Sequence, residues 1–140
     1  MNNDVFRTIA RLVAWGRVGV GAAAVVTPSL VARPWVGDVG GDVPARLLAR
    51  AMGGRDLVLG IGTLRGLTVS DAEGRPWVAL GGVADTVDAI STVVAFRHLP
   101  RRARWGILAI AVGAAVASTR AAIALDSSTD WDAAGAGGQP

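Results

Sequence analysis

Apolar residues divide the chain into four long blocks that are separated by short polar stretches. Each block has about 20 residues or slightly more, which is the length that a helix rising ~1.5 Å per residue needs to cross ~30 Å of hydrocarbon. Helices of soluble domains are usually shorter. The pattern therefore predicts four membrane-spanning helices, over residues 5–31, 44–67, 76–96 and 105–125.

The stretches between the blocks contain residues that stop helices. They read GDVGGDVP over residues 37–44, SDAEGRP over residues 70–76 and RHLPRRAR over residues 97–104. The prolines that end the first two stretches stand where a first helical turn accepts proline. Short connections make consecutive helices antiparallel neighbours. Residues 1–125 are thus predicted to form one all-α domain, an antiparallel bundle of four transmembrane helices with short loops.

The two ends of the chain need separate interpretations. Residues 126–140 are small, polar and acidic, which predicts a disordered C-terminal tail. The first block has an alternative interpretation as a secretory signal peptide, with Arg7 and Arg11 as its basic start. Arg17 interrupts its apolar region and Asp4 disturbs its basic flank. We therefore assign this block to the first span.

Composition excludes several classes of site and partner. The chain is 51% hydrophobic and 18% charged, with a mean hydropathy of +0.44. It contains no cysteine, which excludes a disulfide, a thiol nucleophile and a cysteine-bound metal or cluster. The single histidine, His98, excludes a bis-histidine haem, and no cofactor or metal is predicted. A net charge of +3 from scattered arginines lacks the basic stripe that nucleic acid binding needs.

Charged residues nevertheless lie inside the predicted spans. Arg55 and Asp56 stand near the centre of the apolar stretch AMGGRDLVLGIGTL, residues 51–64. A charge at the centre of a span costs ~2.5 to 3.5 kcal/mol on insertion scales, so such residues face a bundle interior or water and find partners. The predicted buried ionic cluster comprises Arg17, Arg50, Arg55, Asp56, Asp85, Asp88 and Arg120.

Helical spacing places most of these charges on stripes of small residues. Residues three or four apart share a helix face, so Asp85, Asp88 and Thr92 lie on one stripe. In membranes, helices approach each other closely along such stripes. The glycines predicted to pack at these contacts are Gly21, Gly53, Gly60 and Gly113. Counting the depth of each residue along its helix pairs Arg17 with Asp85 first and brings Asp88 near the level of Arg55.

The sequence Gly-Gly-Arg-Asp at residues 53–56 carries a resemblance to a known family. Together with four short spans, it resembles uncharacterised small membrane proteins of actinobacteria and fungi that have a Gly-x-Arg-Asp motif in the second helix, within a wider DoxX-like set. The resemblance covers about residues 5–125 and implies a four-helix integral membrane fold without a settled activity. Some DoxX proteins are similar to subunits of quinone-linked oxidoreductases, but this chain supplies no redox centre, so that role is not carried over.

These observations predict a small integral membrane protein that acts as a non-enzymatic membrane component with a buried Arg/Asp ionic core. The alternative is a proton-coupled or ion-coupled transporter of small solutes that uses Asp85 and Asp88. A weaker alternative is an intramembrane enzyme on a lipid-like substrate, with an aspartate as acid or base. No catalytic residue is assigned. The expected partners are the lipid bilayer and either a second copy of the chain or another membrane protein.

Arginines in the connections predict the orientation of a multi-pass protein in the cell membrane. One face holds Arg33, Arg46, Arg97, Arg101, Arg102 and Arg104. The other face holds Arg7, Arg11, Arg65 and Arg75. Because cytoplasmic loops carry an excess of basic residues, the loop at residues 97–104 is predicted to be cytoplasmic and both termini outside.

Overall fold

The computed structural model describes residues 3–101 and 104–136, with side chains over residues 4–101 and 104–125. All regular elements in these ranges are helical. The α-helices are α1 (Asn3–Val26), α2 (Pro28–Val36), α3 (Val43–Val69), α4 (Asp71–Ala95) and α5 (Arg104–Ala136), and a 3-10 turn (Gly37–Gly41) joins α2 to α3. The predicted all-α class is therefore confirmed for the described chain, with five α-helices in place of four.

The first predicted helix is broken into two, which corrects the prediction of a single span there. Thr27 has φ −125° and ψ 62°, because a residue before proline is disfavoured in the α region, and α2 starts at Pro28. At the end of α2, Gly37 takes a positive φ of 77°, which glycine adopts without steric cost. Gly40 then packs on α2, where a Cβ would lie 2.6 Å from the Arg33 backbone N. Helix α2 and the 3-10 turn thus form a compact connection between α1 and α3.

The connection between α3 and α4 is the single residue Ser70. It caps α4, because its Oγ accepts a hydrogen bond of 3.1 Å from the Glu73 backbone N–H, the first half of a Ser-x-x-Glu capping signature. Helix α4 therefore begins at Asp71 rather than at the predicted Pro76, which lies inside the helix. Gly66 lets α3 and α4 approach closely at this corner, since a Cβ there would lie 2.6 Å from the Glu73 carbonyl oxygen.

The four long helices, α1, α3, α4 and α5, pack in a ring. Helix α1 contacts α3 and α5, and α4 contacts the same two helices, so α1 and α4 lie diagonally opposite each other. Gly21 faces Gly53, and Ala14 faces Gly60, which makes α1 and α3 antiparallel. Their backbones touch, because a Cβ on Gly53 would lie 2.7 Å from the Gly21 carbonyl oxygen.

The two ends of this helix ring are closed by different contacts. At the end that holds the start of α1, buried apolar side chains form a core of Ala10, Leu67, Val78, Ala121 and Leu125. At the other end, the Phe96 and Trp105 rings meet edge-on with their centroids 4.8 Å apart. The Arg104 guanidinium lies 5.0 Å from the Phe96 centroid. These aromatic contacts close the corner between α4 and α5.

The outer surface of the helix ring is apolar. Large side chains such as Leu12, Val58 and Ile110 are 66%, 60% and 64% exposed, a pattern that is rare on soluble monomers. Among the described residues, three helices are long and apolar enough to cross a membrane, over Asp4–Val26, Asp71–Ala95 and Arg104–Leu125. Helix α3, whose sequence carries five charged residues, is not among them. Three of the four predicted spans thus have the required length and composition.

Helix α5 extends beyond its predicted end at residue 125. Its backbone is helical to Ala136, whereas composition predicts a disordered tail from residue 126. Once a helix exists, each further residue adds a hydrogen bond without a new nucleation cost, and this stretch has no proline before Pro140. Of the predicted tail, the structure describes only the backbone of residues 126–136. The rest of the tail prediction lies outside the described residues.

Candidate functional site

An arginine from α1 crosses the interior of the helix ring to reach α4. Arg17 Nη2 donates to Asp85 Oδ2 at 2.5 Å and to the Gly81 carbonyl oxygen at 2.9 Å. Its Nη1 lies 3.4 Å from Asp56 Oδ1 on α3. Arg17 and Asp85 are 9% and 8% exposed. One guanidinium therefore links three helices in the interior, and it contacts Asp85 as the depth comparison predicts.

A second arginine completes a continuous network. Arg55 Nη2 donates to Asp88 Oδ2 at 2.8 Å and its Nη1 donates to Asp88 Oδ1 at 3.2 Å, the two-pronged geometry that suits a guanidinium and a carboxylate. Arg55 Nη2 also donates to Asp56 Oδ1 at 3.0 Å. Because Asp56 Oδ1 accepts hydrogen bonds from both arginines, it connects the Arg17–Asp85 pair to the Arg55–Asp88 pair. Below, the ionic network means Arg17, Arg55, Asp56, Asp85 and Asp88.

Small residues make room for the ionic network. A Cβ on Gly81 would lie 3.1 Å from Arg17 Nη2, so a larger residue would press on the guanidinium. Ser118 on α5 donates its hydroxyl to Asp85 Oδ2 at 3.0 Å and thereby brings in the fourth long helix. The pattern of charged residues does not predict that Ser118 belongs to the site. The available signal was its spacing, because it lies on the same helix face as the buried Ala111 and Ala121.

Two of the seven residues predicted for the cluster lie elsewhere. Arg50 is exposed, and its Nε donates to the Val25 carbonyl oxygen at 3.2 Å. Arg50 precedes Arg55 by five positions, which turns it about 140° around α3. Arg120 is also exposed, because it lies two residues, or about 160° of rotation, beyond the buried Ser118. The prediction that Arg50 and Arg120 belong to a buried cluster is therefore wrong.

Three of the four glycines predicted to pack at helix contacts do so, and one does not. Gly21, Gly53 and Gly60 all lie where α1 and α3 touch. Gly113 is exposed, and a Cβ on it would meet nothing within 4 Å, so its predicted packing role is wrong. Small residues occur on several faces of α5 and do not identify the packed one. The buried stripe of α5 consists of Ile107, Ala111, Ser118, Ala121 and Leu125.

The charges of the ionic network do not balance. Three aspartates and two arginines form its ion pairs, so the fully ionised network carries one negative charge. The acidic groups are directed to guanidinium groups, and no set of three or more His, Cys, Asp or Glu side chains is placed to hold a metal ion in the part of the chain that the structure describes. The network thus has one carboxylate more than it has guanidinium groups, and its described side chains offer no metal-ligand geometry.

Two cavities border the ionic network, and they differ in size. A cavity of about 10 Å³ lies beside Arg17 and Ser118, which is space for about one water molecule. A second cavity of about 210 Å³ lies between α1, α2 and α3, and its otherwise mostly apolar wall includes Asp56 and Asp88. We call it the apolar pocket. Asp85 is therefore enclosed, whereas Asp56 and Asp88 border a larger space.

Comparison with known proteins places this chain in no family. No protein-family model matches it, and neither a curated protein nor a solved structure is significantly similar to it. The resemblance carried by residues 53–56 therefore stays a prediction.

Proposed function

We propose that the protein is a non-enzymatic integral membrane protein in which the ionic network locks a bundle of four transmembrane helices. The observation that carries this proposal is the path of Arg17, which runs from α1 across the ring to Asp85 while also contacting Asp56. A buried charge in a membrane is tolerated when it is paired inside the bundle. The pairs connect α1, α3 and α4, and Ser118 adds α5, so the network favours one arrangement of all four helices.

Helix α3 is the fourth span in this proposal, although it carries more charge than the other three. Arg55 and Asp56, at its middle, are paired within the ionic network. Arg46 lies near the start of α3 and Arg65 near its end, where long arginine side chains can extend to the membrane interface. Arg50 is satisfied in part by the Val25 carbonyl oxygen. The charges of α3 are therefore compatible with a spanning helix between α1 and α4.

A second candidate function is transport of a small solute coupled to protons or ions through Asp85 and Asp88. The observation that favours it is the apolar pocket, because Asp88 lies in its wall. Asp85 is instead enclosed by Arg17 and Ser118. The structural lock accounts for all five residues of the network, and we therefore prefer it.

The lock is tested by a double-mutant cycle on Arg17 and Asp85. We expect Arg17→Gln and Asp85→Asn each to lower the free energy of unfolding of the full chain in detergent. Arg17→Gln leaves the buried Asp85 without its guanidinium group, and Asp85→Asn leaves Arg17 with only the longer contact of 3.4 Å to Asp56. The double variant should lose less than the sum of the two losses. Polar contacts in membrane proteins predict a coupling on the order of 1 kcal/mol. Unfolding titrations with sodium dodecyl sulfate would measure all four variants.

Arg50 provides a matched control for this cycle. It is an arginine on an exposed position of α3, and its described hydrogen bond goes to Val25 rather than to an aspartate. Arg50→Gln combined with Asp85→Asn should therefore show additive losses. If the Arg17 and Asp85 changes were equally additive, the ion pair would not couple α1 to α4, and the proposed lock would be wrong.

A further inference from the structure

The apolar pocket has a long apolar wall and an acidic end. Along α3 its lining follows one helix face from Ala45 to Asp56, and Val20 of α1 and Trp35 of α2 complete the walls. Asp56 is the lining residue furthest from the start of α3, and Asp88 of α4 lies beside it, since Arg55 contacts both. A molecule in the pocket would therefore meet carboxylates at one end and hydrocarbon along the rest.

Electrostatics at the acidic end favour a positive charge. The network carries one more carboxylate than guanidinium groups, and on its enclosed side Arg17 contacts Asp85 at 2.5 Å. All three hydrogen bonds that Asp56 accepts from arginine end on Oδ1. No hydrogen bond among the described residues ends on its Oδ2, which can accept one from a further donor. An unbalanced charge in a low-dielectric interior is costly, so one additional cation would stabilise this end of the pocket.

We propose that the apolar pocket binds a small organic monocation with one ammonium group and an apolar body. The ammonium group donates to Asp56 and Asp88, and the body packs along Val20 and Trp35. The volume of about 210 Å³ lies below the range of roughly 300 to 1,000 Å³ for drug-sized ligands, which selects small alkyl or aryl amines. This site goes beyond the lock proposed above, and the lock does not depend on it.

Other ligand classes fit the pocket less well. An anion would add to the excess negative charge. A neutral apolar molecule would fill the volume and leave the extra carboxylate unbalanced. A bare metal ion would find no set of three or more suitable ligands among the described residues. It would also make no favourable contact with the apolar wall. A proton could balance the charge without any ligand, and the experiment below separates that case from cation binding.

The proposal is tested by comparing two probes that differ in charge but not in length, n-octylammonium and 1-octanol. Each is titrated at neutral pH into the full-length protein in a non-ionic detergent, with isothermal titration calorimetry and a protein-free micelle blank. We expect the wild-type protein to bind octylammonium at least ten-fold more tightly than octanol, because the octanol hydroxyl can donate one hydrogen bond but only the ammonium group forms an ion pair with Asp56 and Asp88.

Two variants test the acidic end and the wall separately. Asp88→Asn leaves two carboxylates for two guanidinium groups, and the ratio of the two probe affinities should fall to about one. Val20→Phe fills the pocket, and both probes should lose at least ten-fold in affinity. The matched controls are Asp38→Asn, an exposed acidic residue outside the pocket, and Val83→Phe, which places the same side chain in the groove between α4 and α5. Both controls should bind like the wild type.

Equal wild-type affinities for octylammonium and octanol would overturn the proposal and leave a proton as the balancing charge. An undiminished preference for octylammonium in Asp88→Asn would overturn it as well. If Asp88→Asn does not fold, Val20→Phe and Val83→Phe still test the proposal. Equal octylammonium affinities of these two variants would exclude the apolar pocket as the binding site. The stability cycle on Arg17 and Asp85 uses no probe, so failure of cation binding is distinguishable from failure of the lock.

Discussion

Gly53 and Gly54 are neighbours in the sequence but have different surroundings. A Cβ on Gly53 would lie 2.7 Å from the Gly21 carbonyl oxygen and 2.8 Å from the Ala24 Cβ, whereas a Cβ on Gly54 would meet nothing within 4 Å. A backbone oxygen cannot move aside as the end of a flexible side chain can. The absent side chain of Gly53 therefore sets the distance between α1 and α3.

We expect Gly53→Ala to lower the free energy of unfolding by about 1 to 3 kcal/mol, the usual cost of overpacking a tight contact. Gly54→Ala is the matched control and should be neutral or stabilising by up to ~1 kcal/mol, because alanine has the higher helix propensity. Detergent unfolding titrations would measure both. Equal stability of the two variants would show that α1 and α3 do not touch at Gly53.

The charged residues show what periodicity can predict and what it cannot. Asp85 and Asp88 are one turn apart, and they remain on neighbouring positions of α4 that face the arginines. The position of Arg50 close to Arg55 along the chain predicts that both belong to the cluster, but the rotation of the helix turns Arg50 away. A stripe of small residues predicts that Arg120 belongs to the cluster, but small residues lie on several faces of α5. Charge and spacing predict candidates, whereas the packed face of a helix depends on its neighbours.

At the scale of elements, hydropathy predicts the middle of each long helix better than its ends. Helix α4 begins with polar residues, because Ser70 caps it through Glu73, and a hydropathy pattern does not register this signal. The break at Thr27 has the opposite cause. Apolar residues continue on both sides of Pro28, while the proline changes the backbone geometry. Helix ends are therefore encoded by caps and prolines rather than by hydrophobicity.

The cap of α4 gives a direct test at this scale. Ser70→Ala removes the acceptor for the Glu73 N–H at the only residue between α3 and α4, and we expect it to lower stability by about 1 kcal/mol, the usual effect of losing an N-cap. Thr68→Ala is the control, because the exposed Thr68 hydroxyl bonds within its own helix to the Arg65 carbonyl oxygen. A Ser70→Ala variant no less stable than Thr68→Ala would show that the cap does not hold the corner.

At the scale of the whole molecule, α2 and the turn after α4 lie at the same end of the helix ring. A Cβ on Gly37 would be 3.5 Å from the Pro100 ring, so the turn after α2 and the loop after α4 are adjacent. The apolar pocket exists because α2 folds against α1 and α3 at this end. No sequence pattern predicts the pocket, because it depends on the chain reversal at Gly37 rather than on any one segment.

The distribution of arginines between the two ends predicts the orientation in the membrane. The end formed by α2 and the loop at residues 97–101 is richer in arginine than the end formed by the corner between α3 and α4. Because basic residues are retained on the cytoplasmic side, we expect the first end to be cytoplasmic. This orientation also places Asp38 and Ala72, at opposite ends of α3, on opposite sides of the bilayer.

Single cysteines test this topology without background labelling, because the chain has no cysteine of its own. The exposed positions Asp38, Ala72 and His98 are each changed to cysteine, and intact cells are treated with a membrane-impermeant maleimide. We expect labelling of Ala72→Cys alone, and labelling of all three once the membrane is permeabilised. The reverse pattern in intact cells would invert the orientation. Equal labelling of Asp38→Cys and Ala72→Cys from one side would mean that α3 does not cross the bilayer, and the proposal of four transmembrane helices would then be wrong.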